Sequence, residues 1–263
     1  MSLPFLALRL DHILFLVDHR EAARAVADVL MRPCFGALAR VSALQNDHPV
    51  GQTEVSRQTI TEYLVNPAYQ GIMLDSGRLG GLTAVAVFPN GQYARHWAPS
   101  PARLRASVVV PLAGPAAPAL VEAACDLALI LDARFGAITV EPTHTLAERW
   151  VLGGRPKPRP GLSAKRRVER RAYCIRTGHT ATEISGPEWG LFLGAGHLAR
   201  LDLQAVCRSG AFEKVEAVAR NLVFLQLTAH PEDDLSDGFE ARLNQAREAL
   251  APVLMDLSVV PLE

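Results

Sequence analysis

Apolar residues recur at helical spacing in two long stretches of the chain. From Ala116 to Phe135 the repeat follows steps of three and four residues, which is typical of one buried helix face. This stripe consists of Leu120, Ala124, Leu127, Leu131 and Phe135. Asp237 and Glu240 have the spacing of a capping box in front of a second stripe. The second stripe consists of Phe239, Leu243, Ala246 and Leu250. Pro252 should end that helix because its ring clashes one turn back. Asp18-x-x-Glu21 predicts the start of a further helix.

Short β-branched and apolar runs predict strands. These runs are Leu82–Phe88, Leu104–Val110, Ala137–Val140 and Leu222–Thr228. The order strand, strand, helix, strand in the first part of the chain is that of an α+β unit. The alternation in Arg171–Thr177 favours another strand. We therefore predict an α+β fold, in which amphipathic helices pack on a mixed, mainly antiparallel sheet. The order of elements also allows two structurally related halves.

The segment GGRPKPRPGLS at 153–163 interrupts both kinds of pattern, because its prolines and glycines fit neither a helix nor a central strand. It predicts a basic connector between an N-terminal α+β lobe (1–152) and a C-terminal α+β lobe (164–263), unless the two form one continuous domain. The 263 residues carry no net charge. However, residues 1–150 have a net charge of −1, residues 151–176 of +8, and residues 177–263 of −7. A generally basic nucleic-acid coat is therefore excluded, but a local basic stripe is not.

The sequence motifs give no indication of catalysis. The chain has no G-x-S-x-G, no H-E-x-x-H and no C-x-x-C. The glycines of residues 190–196 lack the Lys-Ser/Thr of a phosphate loop, and His144 with Glu148 is too few ligands for a metal. We predict that the protein is not an enzyme, has no catalytic residues, and binds no metal or cofactor.

The N-terminal apolar run has no basic residue before it, and Arg9, Asp11 and His12 interrupt it, so no signal peptide is predicted. No uncharged apolar stretch reaches the roughly 18 residues of a membrane helix. We therefore expect a cytoplasmic protein that does not associate with membranes. The pattern leaves open whether it is a monomer or a homodimer.

Two charged segments could bind a partner. The basic segment Arg155–Arg176 could bind phosphates, but it contains only Tyr173 as a stacking aromatic, so a solvated loop is favoured over a nucleic-acid site. The acidic cluster lies between a predicted strand and a predicted helix. Its candidate contact residues are Glu232, Asp233, Asp234 and Asp237. Part of the cluster suits a helix N-terminus, and an exposed acidic loop could also dock on a basic partner.

The last third of the chain resembles the immunity protein 52 family of bacterial polymorphic-toxin systems. The matching pieces are Ser185-Gly186-Pro187-x-Trp189, Phe192-Leu193-Gly194-x-Gly196-His197, Leu225-x-Leu227-Thr228 and Ala249-Leu250-Ala251-Pro252. The resemblance implies an immunity protein that neutralises a cognate type VI-secreted toxin with a restriction-endonuclease-like nuclease domain, by stoichiometric blockade. The alternative is a nucleic-acid-binding protein that uses Arg155–Arg176. Within the motif, residues that should hold the fold rather than touch a partner are Gly186, Trp189, Phe192, Gly194 and His197.

Overall fold

In the part of the chain that the structure describes, ten strands form one sheet in which every neighbouring pair is antiparallel. The computed structural model describes residues 4–11, 13, 19–45, 48–66, 68–69, 71–76, 84–87, 105–112, 116–152, 161–175 and 180–258. The strands are β1 (Phe5–Asp11), β2 (Arg40–Gln45), β3 (His48–Glu54), β4 (Gly71–Asp75), β5 (Ala84–Val87), β6 (Arg105–Pro111), β7 (Phe135–Glu141), β8 (Gly190–Gly194), β9 (Lys214–Ala219) and β10 (Leu222–Gln226). The helices are α1 (His19–Leu30), α2 (Arg57–Val65), α3 (Ala116–Ile130), α4 (His144–Leu152), α5 (Ala164–Ile175), α6 (Ala195–Leu198), α7 (Leu203–Arg208) and α8 (Phe239–Ala249).

The strand order is β3-β2-β4-β5-β6-β1-β7-β8-β10-β9. The first strand of the chain is therefore central: Leu8 of β1 lies opposite Val108 of β6 on one side and Ile138 of β7 on the other. β7 also pairs with β8, which places strands from both predicted lobes in the same sheet. The structure thus confirms the α+β fold and the antiparallel sheet. The division of the chain at residues 153–163 stays a prediction.

Helices cover both faces of the sheet, because alternate residues of each buried strand point to opposite sides. On the first face, Leu6, Leu8 and Leu10 of β1 belong to a core that also takes in residues of α1, α2, α3 and α8. On the second face, Phe5 and Ala7 share a core with residues of α4, α5 and α7. Since β1 and β7 are buried on both faces, their sequences are nearly continuously buried rather than half exposed.

The predicted strands at Leu82–Phe88, Leu104–Val110 and Leu222–Thr228 are confirmed as β5, β6 and β10. β5 and β6 are also neighbours, as their closeness in the chain suggested. The capping box at Asp237 is wrong. Gly238 is the N-cap of α8, and no side chain caps this helix end. The capping box at Asp18 lies outside the described residues.

Two elements of the structure differ from those that the apolar pattern predicts, one in its length and one in its type. The helix predicted to reach Phe135 ends at Ile130, and Asp132 adopts a left-handed turn (φ 44°). Phe135 begins β7 instead, because burial on both faces of a central strand prolongs an apolar stripe past the true helix end. The strand predicted at Arg171–Thr177 is also wrong for residues 171–175, which form the C-terminal end of α5. Residues 176 and 177 lie outside the described residues.

Candidate partner-contact surface

Three residues of the acidic cluster, Glu232, Asp233 and Asp234, lie on a short 3-10 helix, Pro231–Leu235, between β10 and α8, and Asp237 follows this helix. Glu232 and Asp237 are exposed and Asp233 is half-buried. We call these three side chains the acidic ridge. The backbone beneath them is ordered by local bonds, since the carbonyl of Asp233 accepts from the backbone N–H (2.9 Å) and the hydroxyl (2.7 Å) of Ser236.

Asp234 departs from the sequence prediction, because its side chain is only 1% exposed and cannot contact a partner. Its carboxylate accepts hydrogen bonds from the Thr139 hydroxyl at 3.2 Å and the Val140 N–H at 3.1 Å, both on β7. It also pairs with Arg166 of α5. One carboxylate of the cluster therefore anchors the loop inward, while the acidic ridge faces out.

A cleft of about 330 Å³ lies beside the ridge. Asp233, Ser236, Phe239, Arg242 and Gln245 are among its lining residues. The guanidinium of Arg242 donates to the backbone carbonyls of Leu227 (3.2 Å) and Gly210 (2.9 Å), so this cation is already engaged by the protein. The cleft is thus an open recess at the start of α8 with a mixed polar and apolar lining, and with one carboxylate on its wall.

Below this surface, two arginines of α5 form a buried ion network. Arg170 makes a bidentate pair with Glu188, through Nε to Oε1 at 2.9 Å and Nη2 to Oε2 at 2.8 Å. The same guanidinium bonds to Glu141 and Thr139. Arg166 donates to Glu188 at 3.1 Å. Burial alone would raise the pKa of Glu188, but the adjacent Arg170 and Arg166 outweigh it and hold that pKa below its usual value.

A second buried pair joins α5 to α8. Arg247 of α8 donates to Glu169 of α5, through Nε to Oε1 at 2.6 Å and Nη2 to Oε2 at 2.7 Å. Burial raises the pKa of Glu169, and the pairing with Arg247 offsets this only in part. This pair fixes the position of α5 relative to α8, since each helix supplies a buried charge that needs its partner.

These pairs remove two cations from the alternative nucleic-acid site. Arg166 and Arg170 are buried and neutralised by carboxylates, whereas Lys165 and Arg167 on the opposite side of α5 are exposed. Arg171, also on α5, is half-buried. The other basic residues of that segment, at 155–159 and 176, lie outside the described residues. Two of the carboxylates that neutralise these side chains, Glu188 and Asp234, come from the acidic C-terminal part of the chain.

The five motif residues that were predicted to hold the fold are all buried. Trp189 is 1% exposed and its indole Nε1–H donates to the Thr228 hydroxyl at 3.0 Å. Phe192 packs against Phe224 with ring centroids 4.8 Å apart. The ring of His197 lies 5.8 Å from that of Phe135.

Two glycines of the motif sit where a side chain has no space. A Cβ on Gly186 would lie 2.5 Å from Cδ of Glu169, the carboxylate that binds Arg247. A Cβ on Gly194 would lie 2.5 Å from the carbonyl oxygen of Arg134. Glycine at position 186 therefore lets the backbone pass close to the Glu169–Arg247 pair, and glycine at position 194 lets the backbone pass close to the turn before β7.

The sequence reasoning missed a charged cluster on the second face of the sheet. Arg9 and Asp11 of β1 are fully buried and paired at 2.9 Å. The Tyr173 hydroxyl donates to Asp11 at 3.1 Å, and the Arg9 guanidinium lies 4.3 Å from the Tyr173 ring centroid. Trp150 stacks on the same ring. The available signal was the pair of alternate charges in the otherwise apolar strand FLALRLD.

Within the described part of the chain, no group of three or more His, Cys, Asp or Glu side chains is arranged to hold a metal ion. In the same ranges, no helix combines the length and the apolar character that crossing a bilayer requires.

No protein-family model matches the chain, and no curated protein matches its sequence. Among solved structures, a T6SS (type VI secretion system) protein of Pseudomonas aeruginosa is similar in fold, with a TM-score of 0.57 at 12% identity. The match covers 97% of this chain and 73% of that protein. At this identity the likeness shows the fold alone, and membership of the immunity protein 52 family stays a prediction.

Proposed function

We propose that this protein is a cytoplasmic immunity protein that binds and neutralises a cognate type VI-secreted nuclease toxin. The observation that carries the proposal is the acidic ridge, three carboxylates on a loop that is fixed from below, of which Asp233 also lines a surface cleft. Nucleases present basic clefts to the phosphates of DNA, and carboxylates on an inhibitor can complement that charge. The protein would act stoichiometrically, without turnover.

Pre-organisation of the ridge supports this role. Asp234 ties the 3-10 helix to β7 and α5, and Ser236 holds the backbone of Asp233. Because the loop is already ordered, binding loses less conformational entropy than it would with a disordered acidic segment. A rigid ridge can therefore contribute to affinity as well as to the rate of encounter.

The fold likeness to a T6SS protein and the resemblance of residues 182–258 to the immunity protein 52 family agree with the proposal. The burial of Arg166 and Arg170 in ion pairs argues against the nucleic-acid alternative, since phosphate contacts need accessible cations.

The test is to sequence the genes on either side of this chain's gene and to co-express the chain with a nuclease toxin domain encoded there; if no toxin gene lies there, the proposal fails. We expect the wild-type protein to protect the cells and to co-purify with the toxin domain in a one-to-one complex. Changing Glu232→Lys and Asp237→Lys together should slow association by about tenfold or more, because a steering charge becomes repulsive.

A matched control changes Glu21→Lys and Glu54→Lys, which are exposed carboxylates on α1 and β3. This variant has the same net charge and should associate at the wild-type rate. If the wild-type protein neither protects nor forms a complex, the proposed function is wrong. If both double variants lose the same affinity, the contact surface is not the acidic ridge.

A further inference from the structure

The two edges of the sheet differ in how well they resist pairing with another strand. β3, at one edge, contains Pro49 and a left-handed Gly51 (φ 61°), and its register with β2 shifts. These features discourage edge-to-edge pairing. β9, at the other edge, has the sequence KVEAVA, without proline or glycine, and its register with β10 shifts only beyond Ala217, near the end of the strand. Within the described residues no strand pairs with its outer side.

The register shows which backbone groups of β9 face outward. Leu227 donates its N–H to the carbonyl of Trp189, beyond the end of β8, so Leu225 also directs its backbone groups toward β8. Residues between these, such as Gln226, direct theirs toward β9, where Gln226 lies opposite Lys214. In an antiparallel pair, two opposite residues either both direct their backbone N–H and C=O groups toward each other or both direct them away. Lys214 and Glu216, opposite Gln226 and Phe224, therefore direct their backbone groups inward, toward β10. Val215 and Ala217 therefore present their N–H and C=O groups to the outside.

We infer that β9 pairs antiparallel with β9 of a second copy of this chain, about a two-fold axis at Val215. In this arrangement the two Val215 residues exchange backbone hydrogen bonds. Each Lys214 lies opposite Glu216 of the partner subunit in a non-hydrogen-bonded pair, in which the side chains are closest. An axis at Lys214 or at Glu216 would place identical charges opposite each other. Charge complementarity therefore selects Val215 as the centre.

The surface around the edge favours the same occupant. Lys214 and Glu216 are 48% and 45% exposed and pair with each other along β9, through Nζ and Oε2 at 2.6 Å. Against a second copy of β9, each of these half-exposed side chains also meets the opposite charge of the partner subunit, so the four side chains form one group of alternating charges. Helix α3 packs on β9, and the charge of Glu216 contributes to raising the pKa of Cys125 on α3. Leu129 follows Cys125 by one helical turn and is 49% exposed. A second copy at this edge would bring the two α3 helices close and cover an apolar side chain that otherwise faces water.

Sedimentation equilibrium of the full chain tests the inference. The wild-type protein should form a species of twice 28.5 kDa. Lys214→Glu or Glu216→Lys alone replaces two attractive cross-strand pairs by two repulsive ones, and we expect the dimer to weaken by about tenfold or more. The double variant K214E/E216K exchanges the charges and should restore the dimer.

The matched control is Arg57→Glu, which breaks an ion pair within the chain, with Asp28 on the helices of the first face, as Lys214→Glu breaks the pair with Glu216 of the same strand. It should leave the dimer intact. A wild-type protein that stays monomeric up to about 100 μM, well above the μM range of specific complexes, overturns the inference. A dimer that tolerates both single reversals also overturns it. The result is independent of toxin neutralisation, because a monomeric K214E variant with an intact acidic ridge should still protect cells.

Discussion

Replacing Arg170 by Met tests the buried ion network. The side chain of Arg170 is 6% exposed and binds Glu188, Glu141 and Thr139. Methionine has a similar length but no charge, so it would leave Glu141 and Glu188 buried with one cation fewer. Removing one partner of a buried pair costs about 3–5 kcal/mol, chiefly because the remaining charge is uncompensated. Since domains of this kind are stable by about 5–15 kcal/mol, the variant should be severely destabilised.

The assay is urea unfolding, followed by far-UV circular dichroism and by tryptophan fluorescence. Arg208→Met is the control, because Arg208 is 72% exposed and pairs with Asp202 at 4.0 Å. It should change the free energy of unfolding by less than about 1 kcal/mol. Adding Glu188→Gln to the Arg170 variant removes an orphaned carboxylate and should recover part of the loss. If Arg170→Met changes stability as little as the control does, the network does not hold α5 in place.

Three further outcomes follow from burial. Trp189→Ala should cost about 3–5 kcal/mol in a urea titration, and an unchanged midpoint would mean that the indole is not part of the core. Because its pKa is lowered in the folded protein, Glu188 adds stability that is fully present above about pH 4.5 and is lost as the pH falls through the folded-state pKa. Wild-type stability should therefore decline more steeply than that of Glu188→Gln as the pH is lowered below about 4.5. Equal slopes would contradict this pairing. Burial, together with the charge of Glu216, raises the pKa of Cys125 to about 12, so iodoacetamide should label exposed Cys207 first at about pH 8, as peptide mass spectrometry can check. Equal labelling rates in the native protein would show that Cys125 is open to solvent.

The sequence by itself determined much of the local structure. β-branched runs located β5, β6 and β10, and an apolar stripe located α8, because each pattern reflects burial of one nearby surface. It also located the acidic cluster. The same logic failed at residues 131–135, where the apolar stripe of α3 runs on into β7. A fully buried strand has no polar face to interrupt the pattern.

Only the tertiary structure decided which charges are available to a partner. Asp233 and Asp234 are adjacent and chemically alike, yet one lines a surface cleft and the other binds Arg166, 68 residues away in the chain. Likewise, Arg166 and Arg167 are neighbours in a basic run, but only Arg167 reaches solvent. Charge counts along a chain register how many charged groups exist. Whether a group is buried and paired depends on which distant strand or helix packs against it, and no local pattern encodes that contact.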